Sequence, residues 1–157
     1  MMNVQAQAFL GFDWGQLRIG VASGNTLTGT AQSVTTLNEQ GEARQRAIVK
    51  LVQEWRPSAL VTGVPYHPDG APHKNTKLAK AFAEQLRHWT GLVVHEVDER
   101  YSTTEAKSDY GLARSLQNTD NQRANMKANN KAKNKAEKKI DAFSACVILE
   151  QYMRGLA

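Results

Sequence analysis

Between Ala8 and Leu37 three short runs, AFLGFD, RIGVA and TAQSVTTL, follow one another with only brief turn-rich stretches between them. The runs are apolar or β-branched and of strand length. Connections this short hold no crossover helix, so neighbouring strands must pair antiparallel as a meander. The spacing then changes. Ile48, Leu51, Val52 and Trp55 recur at helical intervals before Arg56-Pro57. ALVTGVP, bounded by Pro65, reads as a fourth strand. A second amphipathic helix follows the turn-rich YHPDGAPH, with Leu78, Ala81, Phe82, Gln85, Leu86 and Trp89 on one face and Gly91 as its C-terminal cap. LVVHEV reads as the fifth strand. Strands separated by helices add to a sheet in parallel. The expected fold is therefore α/β, a five-stranded mixed sheet with helices on both faces and the first strand near its centre.

Past the fifth strand, Ser102 followed by Glu105 fits a capping box and predicts a helix through Ala106, Tyr110 and Ala113. The next stretch, NTDNQRANMKANNKAKNKAEKK, is dominated by Asn, Lys and Ala. Residues 118–137 offer too little apolar surface to offset the cost of ordering them, and are expected to form a flexible basic segment. Ala and Lys also favour a helix, which would extend the one that follows. That last helix, IDAFSACVILEQYM, carries Ile140, Phe143 and Val147 toward the sheet.

Three carboxylates stand in awkward places. Asp13 ends the first strand, Glu99 ends the fifth, and Asp141 sits in the first turn of the last helix beside Ile140, Ala142 and Phe143. Parallel first and fifth strands would bring Asp13 and Glu99 to one sheet edge, and the last helix would lay Asp141 over them. Converging carboxylates repel unless a cation intervenes, and oxygen-only donors suit Mg²⁺ or Mn²⁺. An acid at a strand end is more often solvated or salt-bridged, so spacing alone leaves both readings open.

The chain carries a formal charge of +5, which makes an acidic partner plausible, nucleic acid foremost. Its 157 residues fit one domain, spanning 1–157, with no internal repeat. Nothing near Met1 resembles a signal peptide and no apolar run is bilayer-length, so no membrane partner is expected. The lone cysteine, Cys146, falls in the apolar pattern of the last helix and reads as a core residue, consistent with a cytoplasmic protein.

Four stretches together, GFDWGQLRIGVA, TGVPYHPDG, VDERYSTTEA and KKIDAFSACVILEQYM, resemble the ordered motifs of the YqgF family. That is a ribonuclease H-like group described as Holliday junction resolvases and as pre-16S rRNA processing nucleases. The resemblance spans Phe9 to Met153. It implies a ribonuclease H-like fold, Asp13, Glu99 and Asp141 as a catalytic, metal-holding triad, and Mg²⁺ or Mn²⁺ as cofactor. Arg18 matches the family's basic position before IGVA, and Arg100 the arginine of its DER motif; each would contact phosphate or neutralise a carboxylate. Thr103 is a further candidate substrate contact, and Lys138 and Lys139 join the basic arm leading into Asp141. The four histidines show no close metal-ligand spacing.

The expected activity is metal-dependent hydrolysis of phosphodiester bonds, a two-metal nuclease acting on the 5′ end of pre-16S rRNA in ribosome biogenesis. The alternatives are a Holliday junction resolvase acting on branched DNA, and a nucleic-acid-binding module that does not cut. A sugar-kinase-like phosphotransferase also has an Asp-x-Gly at its first strand, but it needs two such domains around its nucleotide. Sequence leaves monomer or homodimer undetermined.

Overall fold

The structure, a computed structural model, describes residues 6–99 and 126–156, the stretch 126–139 by its backbone. The elements are β1 (Ala8–Asp13), β2 (Ile19–Asn25), β3 (Ala31–Leu37), α1 (Gly41–Trp55), β4 (Ala59–Val64), α2 (Thr76–Thr90), β5 (Val94–Asp98) and α3 (Met126–Arg154). The strands form one sheet in the order β3-β2-β1-β4-β5. The leading meander is antiparallel, and β4 joins β1, and β5 joins β4, in parallel. The mixed sheet with a central β1 follows the sequence pattern.

Alternation along the strands sorts the core into two layers. Leu10, Phe12, Ile19, Val21 and Leu60 point to one side, where Ile48 of α1 and Phe82 and Leu86 of α2 cover them. Phe9, Ala22, Ala59 and Val61 point to the other, against Ala145, Cys146, Ile148, Leu149 and Met153 of α3. Both α1 and α2 end in a left-handed residue whose N–H returns to the helix. Gly91 donates to the Arg87 carbonyl (2.9 Å), and Arg56, with φ of 46°, donates to that of Val52 (2.9 Å).

Two helix faces differ from the sequence expectation. In α2 the buried stripe is Ala79, Phe82, Ala83 and Leu86, whereas Leu78 is 45% exposed and Ala81 and Gln85 face solvent. In α3 Phe143 is 43% exposed, and Ala142, Ala145, Cys146 and Leu149 are buried instead. Hydropathy favours the larger side chain, but a helix laid closely on a sheet needs small ones at the contact. The backbone of α3 is helical from Met126, well before Ile140, so the Asn/Lys/Ala stretch continues the helix as its propensities favour. The helix expected from Ser102, and residues 118–125, lie outside the described residues.

Candidate active site

Asp13, the last residue of β1, pairs with Gly20 of β2. It shares a sheet face with Gly11, two residues earlier, and Gly11 lies under α3, where an added Cβ would stand 3.0 Å from Leu149 Cβ. Directly opposite residues of an antiparallel pair share a face, so Gly20 opens to the same side. A Cβ on Gly20 would fall 1.9 Å from the backbone carbonyl oxygen of Asp141. The missing side chain is thus what lets the α3 backbone rest on β2 beside Asp13. Asp141 Oδ2 accepts a hydrogen bond from Arg18 Nε at 2.8 Å, both side chains being partly exposed.

On the other flank, Phe12 pairs with Thr62, which places the next residue of β4, Gly63, beside the end of β1. Glu99 follows β5 directly and its N–H bonds the Val64 carbonyl at 3.0 Å. Its side chain turns inward, is only 9% exposed, and puts Oε1 1.8 Å from the position of a Gly63 Cβ. The neighbouring Asp98 is exposed, as alternation predicts. Asp13 therefore stands between two glycines, one vacated for the backbone of Asp141 and the other for the carboxyl of Glu99. The role of Gly63 depends on a residue that follows a different strand, so no local pattern in sequence marks it.

The turn between Asp13 and Arg18 is held from outside by the start of α1. Arg44 donates from Nη2 to the carbonyls of Gln16 (3.3 Å) and Gly15 (3.5 Å), and Gln40 Nε2 to that of Leu17 (2.9 Å). Burial pulls the Arg44 guanidinium below its ordinary pKa, with Glu39 opposing. Trp14 packs against the apolar layer beneath, in keeping with a packing role. Neither Gln40 nor Arg44 stands out in sequence, being polar residues near a helix start. The loop after β4 emerges at the same sheet end. There Thr76 hydroxyl donates to the Pro65 carbonyl, and the rings of His67 and His73 lie 4.9 Å apart. Arg100 and Thr103 lie outside the described residues, and Lys138 and Lys139 fall on the α3 backbone just before Ile140.

Hard divalent cations such as Mg²⁺ take oxygen donors, which is what these three side chains offer. Among the described residues no three His, Cys, Asp or Glu side chains stand ready-grouped around one point. Asp141 instead has a guanidinium on it. The oxygen donors of Asp13, Glu99 and Asp141 fit such an ion in kind.

Comparison with known proteins gives the chain's family. A family model described as "RuvX: Holliday junction resolvase" matches residues 7–155. The chain belongs to the RuvX family. This is the YqgF group that its motifs resemble. Among RuvX relatives, a "Putative pre-16S rRNA nuclease" of Polaromonas sp. is 47% identical over 150 residues, covering 96% of this chain and 90% of the relative. A protein of the same description from Paraburkholderia phytofirmans is 44% identical, covering 94% and 88%. Solved structures show the fold shared more widely. Thermus thermophilus RuvC in complex with a Holliday junction substrate superposes with a TM-score of 0.52 at 11% identity, covering 96% of this RuvX chain and 95% of RuvC. Fowlpox virus resolvase with its junction DNA gives 0.51 at 12%, covering 95% and 98%. The ribonuclease H-like sheet expected from sequence is thus the observed one. No helix among the described residues is long and apolar enough to cross a membrane.

Proposed function

We infer that this chain is a divalent-metal-dependent nuclease, with Asp13, Glu99 and Asp141 as the residues that would hold the metal. The observation that carries this is the pair of glycine clefts on either side of Asp13, which admit the Asp141 backbone and the Glu99 carboxyl to one end of the sheet. An ordinary strand end has no need to clear space for a buried carboxyl, as Gly63 does for Glu99. When bound, Mg²⁺ or Mn²⁺ lowers the pKa of a coordinated water and stabilises charge on a departing oxygen. The protein's part is positional. Asp13 is fixed by the sheet at its central strand, Asp141 by the docking of α3, and Glu99 by its backbone bond to β4. Arg18, Arg100, Thr103, Lys138 and Lys139 are the proposed nucleic-acid contacts, in a chain of net charge +5.

Precursor 16S rRNA, cut at its 5′ end, is the favoured substrate, on the descriptions of relatives above 40% identity across nearly the whole chain. The family's own description favours a second reading, branched DNA. A resolvase makes paired cuts and so needs two sites, whereas RNA trimming needs one. The deciding experiment offers purified protein a precursor 16S 5′ leader, an unrelated single-stranded RNA and a four-way DNA junction, each with Mg²⁺ or with chelator. Selective cleavage of the leader, leaving 5′-phosphate and 3′-hydroxyl ends, supports the first reading. Paired symmetric nicks in the junction by a dimer support the second. Salt-sensitive binding with no metal-dependent cleavage of any of the three points to a binding module and overturns the nuclease.

A further inference from the structure

Arg18 and Asp141 lie 123 residues apart in sequence, yet Arg18 Nε sits 2.8 Å from Asp141 Oδ2. One reading of this contact is architectural: the arginine would hold the helix carboxylate in place. The surroundings argue otherwise. Asp141 is already located by its backbone, which rests where Gly20 has no side chain. Arg18 precedes the first residue of β2, and the carbonyl before it, that of Leu17, is clamped by Gln40. Both backbones are therefore held without the ion pair. The side chains of Arg18 and Asp141 are 27% and 20% exposed, so the pair is mostly covered yet still open to small ions. What the guanidinium does supply is positive charge, at a carboxylate that shares one sheet end with two others.

We propose that Arg18 is an exchange residue: its guanidinium neutralises Asp141 until a divalent cation takes that carboxylate, and then turns to a substrate phosphate. The proposal rests on the metal-dependent reading of the site. The charges make the exchange self-consistent. A dication at Asp141 repels the neighbouring guanidinium, while a phosphate arriving at that cation gives it a new anionic partner with matching fork geometry. Cation and nucleic acid then each strengthen the other's binding, because each removes the competitor that the other faces. Such coupling is reciprocal by thermodynamic necessity. Arg18 is a positioning and charge-balancing residue in this scheme, and it acts on binding before any bond is cut.

The test uses binding readouts on the full-length chain. Mn²⁺ affinity is measured by electron paramagnetic resonance or calorimetry, alone and with a non-cleavable phosphorothioate single-stranded RNA. The proteins are wild type, Arg18→Gln, Arg18→Lys and Asp13→Asn. Without RNA, Arg18→Gln should bind Mn²⁺ at least about fivefold more tightly than wild type, since no guanidinium competes. With RNA, the enhancement of Mn²⁺ affinity seen in wild type should shrink by a similar factor in Arg18→Gln. Arg18→Lys, which keeps the charge but loses the fork, should fall between them and serves also if Arg18→Gln does not fold. Unchanged Mn²⁺ affinity and unchanged coupling in both Arg18 variants, with Asp13→Asn still abolishing Mn²⁺ binding, overturns the exchange and leaves the metal site standing. Absence of Mn²⁺ binding by wild type, with or without RNA, overturns both.

Discussion

The two faces of the sheet are built on opposite rules. The α1/α2 face is made of volume: Leu10, Phe12, Ile19, Val21, Leu60 and Phe82 fill the space with large side chains. The α3 face has large side chains too, among them Phe9, Val61, Ile148 and Leu149, but it adds vacancies: Gly11 lies under Leu149 and the Ala145 carbonyl, and Gly20 under the backbone of Asp141 and Ala142. Large side chains hold a helix away from a sheet and tolerate small rearrangements. Direct backbone contact allows little play, and it is on this face that the Asp141 backbone rests on Gly20 and the Glu99 carboxyl lies over Gly63. One face supplies cohesion and the other supplies position.

The sharpest way to break this division is at Asp13. Asp13→Asn should slow metal-dependent cleavage about a thousandfold, roughly 4 kcal/mol of transition-state stabilisation, while melting at or above the wild-type temperature without metal. Rates and melting curves on one preparation check both halves. Cleavage within a few-fold of wild type removes Asp13 from the site. On the opposite face Phe82→Ala should cost about 3–5 kcal/mol of stability, since Phe82 is 1% exposed and meets the Phe12 ring at 6.1 Å. Its cleavage rate per folded molecule, at a temperature where it stays folded, should match wild type within about twofold. A loss like that of Asp13→Asn would mean that the two faces are not separable.

The glycines sharpen the comparison within the α3 face. Gly20→Ala pushes a methyl against the Asp141 backbone, which must shift, so about 1–3 kcal/mol of stability and most of the activity should go together. Gly63→Ala meets the Glu99 side chain from Cγ to Oε1 rather than backbone, so the carboxyl is displaced and not the fold. It should cost less than about 1 kcal/mol in chemical denaturation yet still depress cleavage at least about tenfold. Equal stability losses at both positions would contradict the distinction drawn between them.

The smallest effect is one of pH. Burial pushes the Cys146 thiol up, a hydrogen bond with Ser33 partly offsets this, and nearby Glu150 adds to it; burial raises Tyr152 as well. A raised folded-state pKa means that the unfolded chain releases its proton first. The stabilisation is whole below the ordinary thiol range near about 8.5 and is lost as pH rises through the folded value, with Tyr152 extending the loss above about 10. Melting temperatures from pH 7.5 to 10.5 should fall more in wild type than in Cys146→Ala. Parallel curves would show that the thiol does not contribute.

These contrasts explain which parts could be read from sequence. Periodicity and spacing reveal large side chains, so β1 and the two-layered sheet were legible, as was the awkwardness of a charge at Asp13. The α3 face speaks through absences. A glycine inside ALVTGVP carries no sign that Glu99 needs its space, and the exposed Leu78 and Phe143 drew attention from the alanines that make the contacts. The clamp by Gln40 and Arg44 acts through backbone carbonyls of a turn, which leave no trace in residue type. Pairing of Arg18 with Asp141, out of the two roles open to the arginine, required the helix to be in place.

The distance in sequence between β1 and α3 has a temporal meaning. All five strands are synthesised before Asp141 is reached. A chain still emerging from the ribosome therefore carries Asp13 and Glu99 before the Asp141 end of α3 exists to rest on that sheet face. Such long-range closure is a slow step for a folding chain. On the proposed triad, the site would lack one of its three carboxylates until that helix is made.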